Sequence, residues 1–183
     1  MKTRQILIAD CLRLLDQGLA LLASLDDALY AKPEAAVSSS AIGSHLRHCI
    51  DFYELFLEGL SDGRIDYDLR RRDERVERST GYARWKIADL QTSLRDLRGR
   101  ALPRRLEVKQ DSAGADGREP WAASSVEREL QTLGSHTVHH FALIGVILRL
   151  NGHEPPEGLG VAPSTLRYWK ETGLVHGELD SGR

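Results

Sequence analysis

Histidine is the residue type whose number and spacing in this chain best suit chemistry. Five of the seven histidines lie in two short clusters, His45 with His48, and His136 with His139 and His140. Because residues four apart lie one turn above another on a helix, His136 and His140 can turn both imidazoles toward one ion. A His-x-x-x-His spacing alone is common, but the other cluster adds further ligands. A divalent metal site is therefore the favoured interpretation.

Apolar neighbours indicate that the second cluster faces a core. Leu133 and Leu143 lie on the same helix face as His136 and His140. His139 lies toward the edge of that face and is the weaker candidate. An unpaired imidazole on a buried face costs roughly 1–3 kcal/mol, and one ion would satisfy several rings at once. The alternative is that each histidine is a core residue bonded to a carbonyl or a water.

The apolar residues predict four helices that could bring the two clusters together. Spacings of three and four residues recur in four stretches. These stretches cover residues 8–30, 42–60, 81–101 and 126–150. The three serines at 38–40 and a Ser-x-x-Glu capping box at 124–127 provide caps for the second and fourth helices. The predicted fold is all-α, a four-helix bundle.

The segments between the helices predict a long connection and a small hairpin. The connection from the second to the third helix carries the arginine run at 70–72 among acidic residues, so a solvated loop is expected. Apolar and polar residues alternate weakly over residues 104–123, a pattern that fits a short hairpin. We expect residues 1–152 to form a metal-binding bundle domain. Residues 153–183 should form a tail with a short helix packed on the bundle.

Helical phase does not decide which histidine of the second helix completes the site. His45 lies about 60° from the centre of the apolar stripe and His48 about 120°, at about 100° per residue. The phase therefore favours His45 slightly. From the residues alone, both stay candidates.

The sequence around these histidines resembles the DinB/YfiT-like superfamily of metal-binding four-helix bundles. The fourth predicted helix reads His136-Thr-Val-His-His140 and is followed by Arg149 and Gly152. This pattern is similar to the family's His-x-x-x-His segment with its later arginine and glycine. The resemblance covers most of the chain.

The same resemblance bears on the second helix. Many members begin it with a hydrophobe and a glycine and place a liganding histidine six residues after the hydrophobe. Counting from Ile42 gives His48, with Asp51 three residues further on, as in some relatives. The resemblance thus implies that His48 joins His136 and His140 as a metal ligand, with His45 as the alternative to His48.

Three imidazoles leave at least one position of the ion open, as in catalytic sites. With zinc, nickel or iron as the ion, the resemblance implies a metal-dependent enzyme that activates water or a thiol, for hydrolysis or thiol transfer on a small molecule. The alternative is a non-catalytic metal- or ligand-binding bundle that serves as a dimeric interaction module. A homodimer is expected.

Four other side chains are weaker candidates for a role at the site. Glu129 precedes His136 by seven residues and could act as a base, but a glutamate in the first turn of a helix is favoured by the helix dipole in any case. Asp51 and Glu54 are predicted on the polar side of the second helix, where Asp51 could orient a ligand. Tyr53 could contact a substrate, or could simply pack in the core.

Charge and composition argue against several partners. The net charge of −2, from 25 basic and 27 acidic residues, creates no field that favours nucleic acid or a membrane surface. Residues 162–174 resemble the second-helix signature of MerR-type DNA-binding regulators, but the glycine and prolines at 152–156 do not suit the helix that should precede it. Cys11 and Cys49 lie on apolar stripes, which favours free thiols and a cytoplasmic location.

Overall fold

The computed structural model of the chain describes residues 2–37, 39–110 and 121–173. This part of the chain is mostly helical, as the sequence predicts. Its helices are α1 (Lys2–Ala23), α2 (Asp27–Tyr30), α3 (Ile42–Gly59), α4 (Glu74–Arg78), α5 (Thr80–Asp96), α6 (Val126–Leu150) and α7 (Pro163–Thr172). Its strands, β1 (Arg64–Asp66), β2 (Leu106–Lys109) and β3 (Ala122–Ser124), form one sheet.

The four long helices pack in pairs around a shared apolar core. α3 packs against α5 and α6, and α1 packs against the same two helices. Ile8, Leu46, Ile87 and Ile144 are all buried where these helices meet. The interface between α3 and α6 joins the two elements that carry the histidine clusters.

The first predicted helix is two helices, so its continuous run to Tyr30 is wrong. α1 ends at Ala23, and α2 begins after Asp26. The side chain of Asp26 accepts a hydrogen bond from the backbone amide of Leu29 at 2.8 Å. An N-cap of this kind starts a new helix inside what the apolar spacing alone predicts as one.

Two predicted caps are also wrong in detail. The N-cap of α3 is Ala41, which makes no side-chain cap, so no serine starts this helix. The N-cap of α6 is Ser125, whose hydroxyl accepts from the amide of Arg128 at 3.2 Å. Glu127 pairs with Arg4 at 3.0 Å instead of closing the predicted capping box.

The connection after α3 is more ordered than its charge suggests. β1 pairs in parallel with β2, and Ile65 lies opposite Val108. Ile65, Tyr67 and Val76 are buried in the core, so the expectation that this connection is a solvated loop is wrong at these positions. β2 and β3 pair antiparallel where the hairpin is predicted, and residues 111–120 between them lie outside the described part.

A close backbone approach fixes this connection to α3. A Cβ added at Gly43 would lie 2.1 Å from the carbonyl oxygen of Glu77 in α4. Two such atoms cannot come so close, so only glycine, which has no Cβ, fits at this position. The side chain of Arg47, one turn along α3, donates to Glu77 at 2.7 Å. The glycine after Ile42 therefore lets α4 lie directly on the start of α3.

The short C-terminal helix is present as α7, and none of its residues is fully buried. Leu166 and Trp169 are half-buried, and the segment before α7 is held by Leu159, which is buried. The division of the chain at residue 152 stays a prediction. Across the described residues, no helix has both the length and the apolar content needed to cross a membrane.

Candidate metal centre

Three histidines from α3 and α6 converge at the interface of these helices. The ligand nitrogens of His48, His136 and His140 all lie within 4.8 Å of one another. Nε2 of His136 is 3.2 Å from Nε2 of His48 and 3.1 Å from Nε2 of His140. The spacing of four residues in α6 and the packing of α3 on α6 together produce this cluster.

The distances between these nitrogens fit one transition-metal ion. Two imidazole nitrogens bound tetrahedrally to zinc, at the usual bond length of about 2.0–2.1 Å, lie about 3.3 Å apart. The two Nε2–Nε2 distances of 3.1 and 3.2 Å are close to this value. All three rings are half-buried, so the cluster also has a route to solvent. The donor set and its spacing therefore suit a transition-metal ion.

The environment favours the neutral form of two rings of this cluster. Burial, the neighbouring His136 and the charge of Arg70 together lower the pKa of His48 to about 3. Burial and the neighbouring His136 and His48 lower the pKa of His140 to about 3. Only a neutral imidazole has a lone pair to offer a metal, so His48 and His140 can act as ligands at neutral pH.

His45 lies beside the cluster rather than within it. Its side chain is 8% exposed, and its Nδ1 is 3.0 Å from Nδ1 of His140. Nδ1 is the nitrogen of His140 that faces away from His136 and His48. His45 thus lies where the outer partner of His140 would lie if His140 bound an ion through Nε2. His139 is exposed and touches His140 only through its ring.

Arg70 is the residue at this cluster that sequence reasoning missed, because its run was interpreted as a solvated loop. Its Nη1 donates to Nδ1 of His48 at 2.9 Å. Arg70 is held there by the ordered connection between β1 and α4. Tyr67 anchors that connection, since its ring stacks on Phe52 and its amide donates to the carbonyl of Lys109. No local pattern around residue 70 signals this contact.

The acidic residues of α3 form ion pairs away from the histidines. Asp51 is 3% exposed and accepts from Arg47 at 2.6 Å, so its placement on the polar side of the helix is wrong. Burial raises the pKa of Asp51, and Arg47 opposes this shift. Glu54 is half-buried and pairs with Lys86 of α5. The Asp51 pair thus lies within α3, whereas the Glu54 pair links α3 to α5.

Glu129 and Tyr53 have structural partners. Glu129 is buried, and its carboxylate accepts from the hydroxyls of Tyr67 and Ser124. It lies two turns, about 10 Å along the helix, from His136. Tyr53 is fully buried, with its hydroxyl 3.3 Å from that of Thr137. Both residues tie the histidine-bearing helices to the rest of the core.

The fold and the cluster define a mostly helical protein with a group of three histidines that could hold a metal ion. The sequence profile described as the DinB superfamily matches residues 13–144, a span that includes all three histidines. This match covers more than half of the chain, and the chain belongs to the DinB superfamily. The resemblance seen in the sequence is thereby confirmed.

One curated protein shows a weaker similarity. A protein named FK506-binding protein 5, from Rhizopus delemar, is 29% identical over 107 residues, which are 58% of this chain and 28% of that protein. The matched part therefore spans less than a third of that relative. No solved structure matches the chain.

Proposed function

We propose that this chain is a metal-dependent enzyme in which His48, His136 and His140 bind one divalent transition metal inside a four-helix bundle. The single observation that carries the proposal is the convergence of one ligand nitrogen from each of the three imidazoles within 4.8 Å. Zinc, nickel and iron all suit imidazole ligands. The ligand nitrogens of His48, His136 and His140 lie within 4.8 Å of one another, whereas Nδ1 of His45 faces Nδ1 of His140. These distances favour His48 over His45 as the ligand from α3.

The ion would supply a Lewis acid that activates water or a thiol at an open position. The described part of the chain offers the ion three nitrogens and no carboxylate in this group, which leaves room for a small-molecule or thiol substrate. His45 would hold His140 in the ligating orientation. We propose hydrolysis or thiol transfer as the reaction, with the cytoplasm as the location because Cys11 and Cys49 are both free.

Metal analysis of the purified protein tests the site. We expect one zinc, nickel or iron per chain by mass spectrometry of the elements, and its loss in His136→Ala and in His140→Ala. His139→Ala is the matched control, because it removes an exposed histidine from the same turn. If the wild type bound no stoichiometric metal and both site variants kept its stability, the site would have to be abandoned.

A non-catalytic bundle is the second candidate. It is favoured by the lengths of the contacts between Nε2 atoms, 3.1 and 3.2 Å, since histidines bonded to one another need no ion. Cobalt-substituted protein separates the two candidates. A thiolate-to-cobalt absorption band on addition of 2-mercaptoethanol would support an open catalytic position. An unchanged spectrum would favour a non-catalytic interaction module. Light scattering can then test whether the protein forms the predicted homodimer.

A further inference from the structure

We propose that Arg70 binds a carboxylate of the substrate beside the metal, and that metal binding frees it for this role by displacing it from His48. The inference rests on the proposed metal site and deepens it, because it names a substrate class. The evidence for this inference is the hydrogen bonding of Arg70 and the series of contacts that links Arg70 to the histidines.

The contact with Arg70 fixes where the protons of the metal-free cluster lie. An arginine N–H can only donate, so Nδ1 of His48 accepts and the neutral ring carries its proton on Nε2. That proton points at Nε2 of His136. Nε2 of His140 faces the same acceptor, so it also carries a proton, and its Nδ1 then accepts from His45. The arrangement follows from the hydrogen-bond network.

A metal needs the opposite arrangement. Ligation through Nε2 requires a lone pair there, and the proton of a neutral ring must then lie on Nδ1. In His48 that proton would meet the N–H of Arg70 at a separation of 2.9 Å between the nitrogens. Two donors cannot share such a contact. Arg70 and the metal therefore exclude each other at His48, and metal binding turns the guanidinium away from the ring.

Arg70 is not held in its present place by a carboxylate. Among the described residues, no acidic oxygen lies within ion-pair distance of it, and its Nε is buried without a hydrogen-bond partner. The nearby arginines differ, since Arg47 pairs with both Asp51 and Glu77, and Arg71 pairs with Glu58. A buried unpaired donor costs about 1–3 kcal/mol, which favours an exchange of the His48 contact for a better acceptor.

The chemistry of the freed group selects its ligand. A guanidinium presents parallel N–H donors that match the two oxygens of a carboxylate. Arg70 lies 2.9 Å from Nδ1 of His48, the ring whose Nε2 would bind the ion. A guanidinium displaced from this contact stays tethered next to the ring, so an anion that it binds would lie near the ion. Arg47 is saturated by its two carboxylates and cannot serve this purpose. The geometry therefore favours a small substrate whose carboxylate lies next to its reacting group.

The proton arrangement is tested in the metal-free protein by long-range nitrogen–proton NMR of the imidazoles. We expect His48 protonated on Nε2 in the wild type and a mixture of tautomers in Arg70→Met. Arg71→Met is the matched control, because it removes the same charge from the adjacent residue without touching His48. A wild-type His48 protonated on Nδ1 would overturn the proposal, and this result needs no metal and no variant.

The displacement is tested by metal affinity. Arg70→Met should bind zinc about 2- to 10-fold more tightly than Arg71→Met, because ligation no longer breaks a hydrogen bond. Equal zinc affinities would overturn the exclusion. Arg70→Gln provides a second variant if Arg70→Met does not fold.

The carboxylate is tested by titrating cobalt-loaded protein with acetate and following the visible spectrum. We expect acetate to bind about 10-fold more weakly to Arg70→Met than to the wild type or to Arg71→Met, with neutral imidazole unaffected. An unchanged acetate affinity in cobalt-loaded Arg70→Met would overturn the inference alone, whereas failure to load cobalt at all would overturn the proposed function. If methylphosphonate, and not acetate, depended on Arg70, the carboxylate class would be wrong.

Discussion

Replacement of His45 by phenylalanine tests the difference between a metal ligand and its outer partner. The substitution keeps a ring in contact with His140, where the two centroids are now 5.3 Å apart, but removes the nitrogen 3.0 Å from Nδ1 of His140. When His140 ligates through Nε2, its Nδ1 carries a proton that needs an acceptor. His45 is that acceptor, and at 8% exposure little water can replace it.

The size of the effect follows from that lost acceptor. A buried donor left without a partner costs about 1–3 kcal/mol, and about 1.4 kcal/mol corresponds to a factor of ten in affinity. We therefore expect His45→Phe to weaken zinc binding by roughly 10- to 100-fold, the range usual for outer partners of metal sites. His48→Phe, which removes a ligand, should abolish stoichiometric binding.

Competition with a chromophoric chelator would measure these affinities. His139→Phe is the matched control. The ring of His139 also contacts His140, at 5.2 Å between centroids, but without a hydrogen bond. The zinc affinity of this variant should equal that of the wild type. The reasoning would be refuted if His45→Phe lost all zinc while His48→Phe kept it. In that case His45 would be the ligand, as helical phase alone suggests.

Two further predictions concern a buried carboxylate and the response to acid. Glu129→Gln should lower the free energy of unfolding by about 1–3 kcal/mol in urea, because the amide places an NH2 group where the carboxylate now accepts from one of two hydroxyls, that of buried Tyr67 or that of half-buried Ser124; zinc affinity should not change, and Glu127→Gln, which breaks the partly exposed ion pair with Arg4, should cost under about 1 kcal/mol. A Glu129→Gln variant of wild-type stability that lost zinc would contradict the structural role. Because the pKa values of His48 and His140 are lowered to about 3, protonation of these two rings should not weaken zinc binding between pH 7 and 5, whereas each imidazole with an ordinary pKa near 6.5 would weaken it about 25-fold. The same lowered pKa values mean that the unfolded metal-free chain binds more protons than the folded one, so stability should fall as pH decreases from about 6.5 toward 3; a pH-independent urea midpoint over that range would contradict them.

Local periodicity predicts the parts of the site that one helix provides. His136 and His140 depend only on a spacing of four within α6, which any regular helix converts into a shared face. The end of α6 near Leu150 is likewise local, and the structure ends the helix there. The boundary between α1 and α2 could not be predicted from periodicity, because the apolar spacing continues through the cap at Asp26.

The choice between His45 and His48 could not be made from a helical wheel for a physical reason. The wheel assumes one buried stripe, but α3 is covered on a second side by β1 and α4. Asp51 and Phe52 are consequently buried although they lie outside the stripe. The wheel therefore measures the angle of His48 from a stripe that is only part of the buried surface. Counting from the Ile42-Gly43 pair instead selects His48, the histidine of α3 that lies in the three-histidine group of the described residues; its role as a ligand stays a prediction.

The position of Arg70 could not be predicted from the local sequence either. Its position depends on the pairing of β1 with β2, about forty residues further along the chain, and on the contact of α4 with Gly43. Neither contact is encoded within the run of arginines itself. Yet these contacts place a nitrogen of Arg70 2.9 Å from Nδ1 of His48. The small sheet and α4 thus do more than connect two long helices, because they determine which charge lies beside the three-histidine cluster.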